Sequence, residues 1–299
     1  MADRGSGRWR LDEYVAELET LWRGFDEIYG SLSADDWGRP YGKDWTFADQ
    51  PFHLAYFDRV IVVEPLEAGE NLPRDERWTM RSMRDIDEWN AKEFAKRPAD
   101  QTPEQSLAQL RQAHDRIRTA LGRFDDADLD HVRVFSHFFD LGFVSLREMV
   151  ETAGLHNWGE LSELKFRLRR AVPEPPRAVT HRSVGYYLLT MRGLCRPERA
   201  SRPFTIEFRI TGPAGGRWTM RIANGVCTLA DEEAAERPDL ALRMSPDTFN
   251  LAMIRQAINP MAAMLTGRVR VWRPTRMPMF LKLFPQPQPD QPITVRAVT

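Results

Sequence analysis

Two side chains in this sequence are spaced to act on one chemical group. His156 and Glu160 lie i,i+4 within SLREMVETAGLHNWGELSELKFRLRRAVPEPP, residues 145–176, so on a helix they share one face about one turn apart. An imidazole and a carboxylate so placed can ligate a metal, or pair with each other in a core. His131 and His137, six apart in a Phe-rich stretch, could line a cavity, although a core-satisfied or solvated histidine is the commoner outcome. Cys227, beside Asn224-Gly225, reads as a small packed hydrophobe before a nucleophile. With Cys195 it makes neither a disulfide framework nor a zinc spacing. No G-x-S-x-G elbow, G-x-G-x-x-G or Walker-type loop is present, so a hydrolase triad and a phosphate loop lack support.

The helix that must carry the pair has its own start and stop signals. Ser145 with Glu148 three positions on is a capping box, and Leu146, Met149, Val150, Leu161, Leu164 and Leu168 place one stripe on a core. Lys165, Arg167, Arg169 and Arg170 suit the negative end of its dipole, and Pro173, Pro175 and Pro176 forbid continuation. Upstream, apolar spacing predicts helices over 10–32, from 46–51 to 68 with His53 near its start, over 83–94, and from Thr102-Pro103 to Gly122. Residues 125–142 read as an irregular connection. Four long amphipathic helices with one long crossover predict a four-helix bundle.

Beyond the prolines the pattern changes to a helix over 182–194 and then period-two alternation at Ile206, Phe208, Ile210 and at Trp218, Met220, Ile222. Asn224-Gly225 is a strong hairpin signal. Further strands are predicted at 238–244 and 268–272, with helices after Ser245-Pro246-Asp247 and over 275–284. The fold class is therefore a two-domain α + α/β chain, a helical bundle followed by an α+β domain. The divisions are 1–173, a Pro-rich linker 174–180, 181–285, and a Pro/Gln-rich tail 286–299.

A chain of 299 residues carries two domains comfortably. Its net charge of −1 gives no global reason to expect nucleic acid or an anionic membrane as partner. No apolar segment approaches the roughly 20 residues that span a bilayer, and the first residues lack a signal-peptide run. The expectation is a cytoplasmic protein.

The first half resembles the DinB-like helical bundle, the group that includes the N-terminal domain of mycothiol-dependent maleylpyruvate isomerase. The resemblance rests on Trp45 eight residues before His53, on Ile86 to Asn90, and on Gly159-Glu160-Leu161 with Pro173. The second half resembles the sterol carrier protein domain, through WTMRIANGV (218–226), PDLALRMSPDTF (238–249) and NPMAAMLTGRVRV (259–271). It implies a lipid-sized apolar tunnel, with Met253, Met264, Trp272 and Phe280 in its lining and an apolar small molecule or lipid as partner. Active members of the first group hold a divalent, zinc-like metal through a histidine on helix two and an i,i+4 pair on helix four, and activate mycothiol or a similar thiol.

His53 fits the first ligand. Aligning on Gly159-Glu160-Leu161 puts Ala153 and Asn157 at the other two positions, and shifting by one gives Thr152 and His156. His156 with Glu160 restores two good ligands but moves them nearly a turn along the helix. Arg268, in Leu-x-Gly-Arg, resembles an arginine that the isomerases use near the substrate carboxylate; its plainer reading is a surface cation. Arg268 and His137 are the catalytic candidates. The sequence favours a degenerate bundle in which His156 and Glu160 are a hydrogen-bonded, partly buried pair, working as a small-molecule-binding protein with an apolar cavity in or next to the C-terminal domain. The alternatives are a metal- and mycothiol-dependent isomerase or transferase on His53, His156 and Glu160, and a metal-free enzyme of specialised metabolism acting on an apolar substrate between the domains.

Overall fold

The computed structural model describes residues 9–42, 45–169, 175, 177–232, 234, 236–285 and 288–294. The first unit is helical. Helix α1 (Leu11–Gly30) packs on α5 (Leu146–Leu168), and α2 (Gln50–Phe57) packs on α4 (Pro103–Leu121). Helix α3 (Met83–Ala95) lies between α2 and α4 in sequence. Reciprocal capping boxes start α3 at Ser82 and Asp85, α4 at Thr102 and Gln105, and α5 at Ser145 and Glu148, satisfying backbone N–H groups that a helix start leaves unpaired.

Two departures from the sequence reading bear on the site. Helix α2 does not run on as one α-helix: it passes through a π-helical stretch, Asp58–Val63, before Glu64–Ala68. That stretch contains a run of β-branched residues, which crowd a regular α turn, and π turns recur beside functional sites. The connection expected to be irregular contains a two-stranded antiparallel ribbon, β1 (Arg133–Ser136) with β2 (Gly142–Ser145). Its far end delivers Ser145 straight into the cap of α5.

The second unit opens with α6 (Arg177–Leu194), which begins inside the stretch assigned to the linker; residues 170–174 and 176 lie outside the described residues. A five-stranded sheet follows in the order β5-β4-β3-β6-β7, made of β3 (Phe204–Ile210), β4 (Gly216–Ala223), β5 (Val226–Ala230), β6 (Leu240–Met244) and β7 (Arg270–Trp272). Only the β3–β6 pairing is parallel. The β4–β5 turn has Asn224 at φ 53° and Gly225 at φ 75°, the left-handed pair that a tight two-residue hairpin demands. Phe208, Trp218, Met220 and Leu242 bury one face of the sheet towards α6. The final helix is shorter than expected, Met277–Leu283. Part of the tail returns to the first unit, where Arg84 donates its backbone N–H to Pro289 at 2.9 Å and Ile293 donates to Arg81 at 2.7 Å.

The two units meet on α5. The sequence reading gave this helix one buried stripe, yet Asn157, Gly159, Glu160, Ser162 and Glu163 are buried as well as the apolar stripe. The second unit covers part of this face. Asn250 donates to the Gly159 carbonyl at 3.1 Å, and Arg255 donates to Glu163 at 2.7 Å. Further along the same seam Arg182 of α6 is ion-paired with buried Glu17 of α1. Gly154 lets that pair form, because a Cβ there would stand 2.5 Å from the Arg182 guanidinium. Among the described residues no helix is long and apolar enough to cross a membrane.

Candidate metal centre

The start of α2 and the middle of α5 face each other across the bundle, and each contributes at one-turn spacing. From α2 come His53, Tyr56 and Phe57; from α5 come His156 and Glu160. The His53 and His156 Nε2 atoms each lie 3.5 Å from the same carboxylate oxygen, Glu160 Oε1. One ligand atom from each residue fits a set in which all pairs are within 4.8 Å. Glu160 is fully buried, and the side chains of His53 and His156 are 7% and 14% exposed. The expected hydrogen-bonded pair is therefore part of a largely buried cluster of three, and the His156–Glu160 contact is longer than a good hydrogen bond.

The surrounding groups orient this cluster. Tyr56 donates its hydroxyl proton to Asn90 Oδ1 at 2.5 Å. The 2.7 Å contact between His53 Nδ1 and the Tyr56 oxygen is then donated by Nδ1–H, which orients the ring with Nε2 towards Glu160. The other Glu160 oxygen, Oε2, accepts from Gln50 Nε2 at 2.6 Å and from the Tyr41 hydroxyl at 3.3 Å. Phe57 stacks on His156 with ring centroids 3.4 Å apart, and Trp45 lies 4.8 Å from His53.

Charge is set by burial and by one residue from the second unit. Burial lowers the His156 pKa to about 3, with His53 and Arg255 lowering it further against the opposing pull of Glu160, so the imidazole is neutral. For Glu160 burial acts to raise the pKa, but Arg255, His53 and His156 outweigh it and hold the carboxyl well below its ordinary range. Arg255 follows directly on a second π-helical stretch, Asn250–Ile254. Its Nη2 lies 2.6 Å from Glu160 Oε1 and its Nε 2.7 Å from Glu163 Oε2.

The donor set fits a divalent ion. With metal–ligand distances of about 2.0–2.1 Å, neighbouring ligands of a tetrahedral zinc stand about 3.4 Å apart, close to the two 3.5 Å separations seen. Two imidazoles and one carboxylate are donors such ions accept. Glu160 Oε1 is buried, with both imidazole Nε2 atoms at 3.5 Å, beyond hydrogen-bond distance, and a cation between these atoms is electrostatically favoured. The Tyr56–His53 and Gln50–Glu160 bonds supply the outer support that metal ligands characteristically have. Arg255 pulls the other way, since it already places a positive charge against Oε1.

A neighbouring buried cluster was not foreseen from the sequence. Asp58, in the first π-helical stretch and fully buried, lies 3.2 Å from His114 Nε2 on α4. It also accepts from Asn157 at 3.4 Å, the residue next to His156. Arg255, Gln50, Tyr41 and Asp58 carried no local motif. Only the helix-four alternative that paired His156 with Glu160 pointed to the cluster, and it did so by donor chemistry rather than by alignment.

The remaining candidates lie elsewhere. His137 is buried, stacked on Trp78 at 4.1 Å, with its Nδ1 2.9 Å from the Trp78 carbonyl, and burial lowers its pKa. His131 is exposed, so the two do not line one cavity. Arg268 is exposed in the turn before β7 and is not among the groups that touch the three donors. Met253 and Met264 are half-buried against the core, and Phe280 is buried within it. Trp272 is instead 42% exposed and lines a cavity of about 380 Å³ with Arg209, Arg217 and Arg243, a polar setting for a residue expected in an apolar lining. Cys195 is buried and Cys227 half-buried, and the two do not form a disulfide.

Residues 17–164 match the DinB superfamily and residues 196–272 match the SCP-2 sterol transfer family. No curated protein matches the chain by sequence. Among solved structures, the mycothiol-dependent maleylpyruvate isomerase is similar at 12% identity and TM-score 0.46, over 81% of this chain and 87% of that one. A mutant of that isomerase gives 13% and 0.48 over the same shares. A stereoselective inverting sec-alkylsulfatase from Pseudomonas sp. is similar at 13% identity and TM-score 0.29, over 48% of this chain and 25% of that one. On the two family matches, this chain joins a DinB superfamily helical domain at its N-terminal side to an SCP-2 sterol transfer family domain at its C-terminal side.

Proposed function

We propose that this protein is a divalent-metal protein that brings a thiol and a small apolar molecule together, as a thiol-dependent transferase or isomerase does. The carrying observation is the convergence of two imidazole nitrogens on one buried carboxylate oxygen, 3.5 Å from each. His53, His156 and Glu160 would hold the ion. The chemistry such an ion would supply there is activation of a thiol, by lowering its pKa towards the thiolate. The chain's own groups do the rest. Tyr56 fixes the His53 tautomer, Gln50 and Tyr41 hold the carboxylate, and Phe57 holds the His156 ring in plane. Arg255 offers fixed positive charge beside the centre for a developing or resident anion. Mycothiol or a similar thiol is the co-substrate that the DinB-type resemblance implies. The SCP-2-type domain supports an apolar partner, with Met253, Met264 and Phe280 as its proposed lining.

Arg255 favours a second reading. Its guanidinium at 2.6 Å from Glu160 Oε1 can neutralise the carboxylate unaided, which suits a metal-free small-molecule-binding protein. Metal analysis of untagged protein, with a His53→Ala variant alongside, separates the two. About one equivalent of zinc, iron or nickel, lost in the variant, supports the metal reading. Protein that stays metal-free after incubation with those ions overturns it and leaves the binding protein.

A further inference from the structure

The outward face of the C-terminal sheet carries a row of arginines that the metal centre does not use. Register places Arg209 of β3 opposite Arg217 of β4 and Arg243 of β6, and Arg243 opposite Arg270 of β7. Four guanidinium-bearing residues thus stand level across four neighbouring strands, β4-β3-β6-β7. Their strand neighbours Phe208, Ile210, Trp218 and Leu242 are buried, so the period of two sends the arginines to the other face. Like charges directly opposite one another destabilise a sheet, and a chain with a net charge of −1 has no compositional reason to gather them.

The row is organised. Glu207, 1% exposed, accepts from Arg209 Nε at 2.7 Å and Nη2 at 3.1 Å, and lies 3.6 Å from Arg217 Nη1. It is a positioning carboxylate beneath two of the arginines. Arg209, Arg217 and Arg243, together with Trp272, line a cavity of about 380 Å³, at the lower end of the roughly 300–1,000 Å³ typical of ligand pockets. Trp272 is 42% exposed, with the Arg209 guanidinium 5.3 Å from its ring centroid. An exposed indole in a cavity lined by arginines offers a flat platform for a ring and guanidinium donors for an anion.

We propose that this cavity is a binding site for a small organic phosphate that carries a planar ring. The phosphate meets Arg209, Arg217 and Arg243, and the ring stacks on Trp272. Phosphate is favoured over carboxylate because three guanidiniums match the three oxygens and near-double charge of a phosphate better than the single charge of a carboxylate. The site does not depend on the metal reading, as none of its residues touches the metal cluster.

Isothermal titration of the full chain with AMP, phenyl phosphate, inorganic phosphate and adenosine tests it. AMP and phenyl phosphate bind, inorganic phosphate binds more weakly, and adenosine does not bind. Binding weakens with added salt. Arg243→Glu, an exposed position, lowers AMP affinity at least tenfold, Arg243→Lys lowers it less, and Trp272→Ala weakens AMP more than it weakens inorganic phosphate. Unchanged circular dichroism and thermal melts show that the variants are folded. Absence of binding by either ring-bearing phosphate at millimolar concentration overturns the proposal. So does affinity that Arg243→Glu and Trp272→Ala leave intact.

Discussion

Replacing Arg255 by Met tests the electrostatics of the centre most directly. The guanidinium spans Glu160 and Glu163, at 2.6 and 2.7 Å, and the two carboxylates are 0% and 5% exposed as side chains. Removing one partner of a buried pair typically costs about 3–5 kcal/mol, because a desolvated charge is left behind. The Arg255 side chain is 25% exposed and Glu163 keeps Arg167 at 2.5 Å, so the low end, about 3 kcal/mol, applies. For a unit of this size that is a fall of roughly 6–12 °C in Tm.

The pH dependence carries a sign. In the wild type the Glu160 carboxyl sits below its unfolded value, so its contribution is present above the unfolded pKa and is lost as pH falls through the folded one. Without Arg255 burial gains weight, the folded pKa rises, and the carboxyl regains a proton as pH falls. In protein stripped with EDTA, the difference in Tm between wild type and variant therefore narrows from pH 7 towards pH 4. Zinc, meeting less repulsion, restores more stability to the variant than to the wild type. A variant melting within 1 °C of wild type at pH 7, or a difference that widens in acid, refutes the reasoning.

Two further outcomes follow from neighbouring groups. Because burial lowers the His156 pKa to about 3, the unfolded chain binds the extra proton between about pH 6.5 and that value. Stability of the metal-stripped protein is therefore lost as pH falls through that window, by up to about 1.4 kcal/mol per pH unit, and His156→Gln flattens the slope in urea titrations; an unchanged slope sinks the assignment. Gly154→Ala puts a Cβ 2.5 Å from the Arg182 guanidinium and 3.2 Å from Glu17 Oε1, which disturbs the buried pair between the units. A loss of about 1–3 kcal/mol and faster proteolysis between α5 and α6 are expected, and wild-type resistance to protease would count against the seam as drawn.

Much of the architecture was local enough to read directly. Ser145 with Glu148, Thr102 with Gln105, and Asn224-Gly225 each fix their own element through contacts a few residues long, and the structure shows each of them. The apolar periods placed the bundle and the sheet, because a stripe's repeat depends only on its own helix or strand. The ribbon β1–β2 escaped notice because its strands are four residues each, too short for a period to declare itself.

The centre divides along the same line. That His156 and Glu160 share a face follows from their spacing alone. That His53 joins them, that Glu160 loses all solvent, and that Arg255 arrives from the other domain are consequences of packing between distant segments. The sequence reading expected a hydrogen-bonded, partly buried pair because it could not see the second unit covering α5. Burial made His156 neutral and Arg255 kept Glu160 charged; both effects depend on which groups end up within a few ångströms. Residue types and spacing determined which side chains were able to act, and only the tertiary structure decided which of them meet and in what charge state.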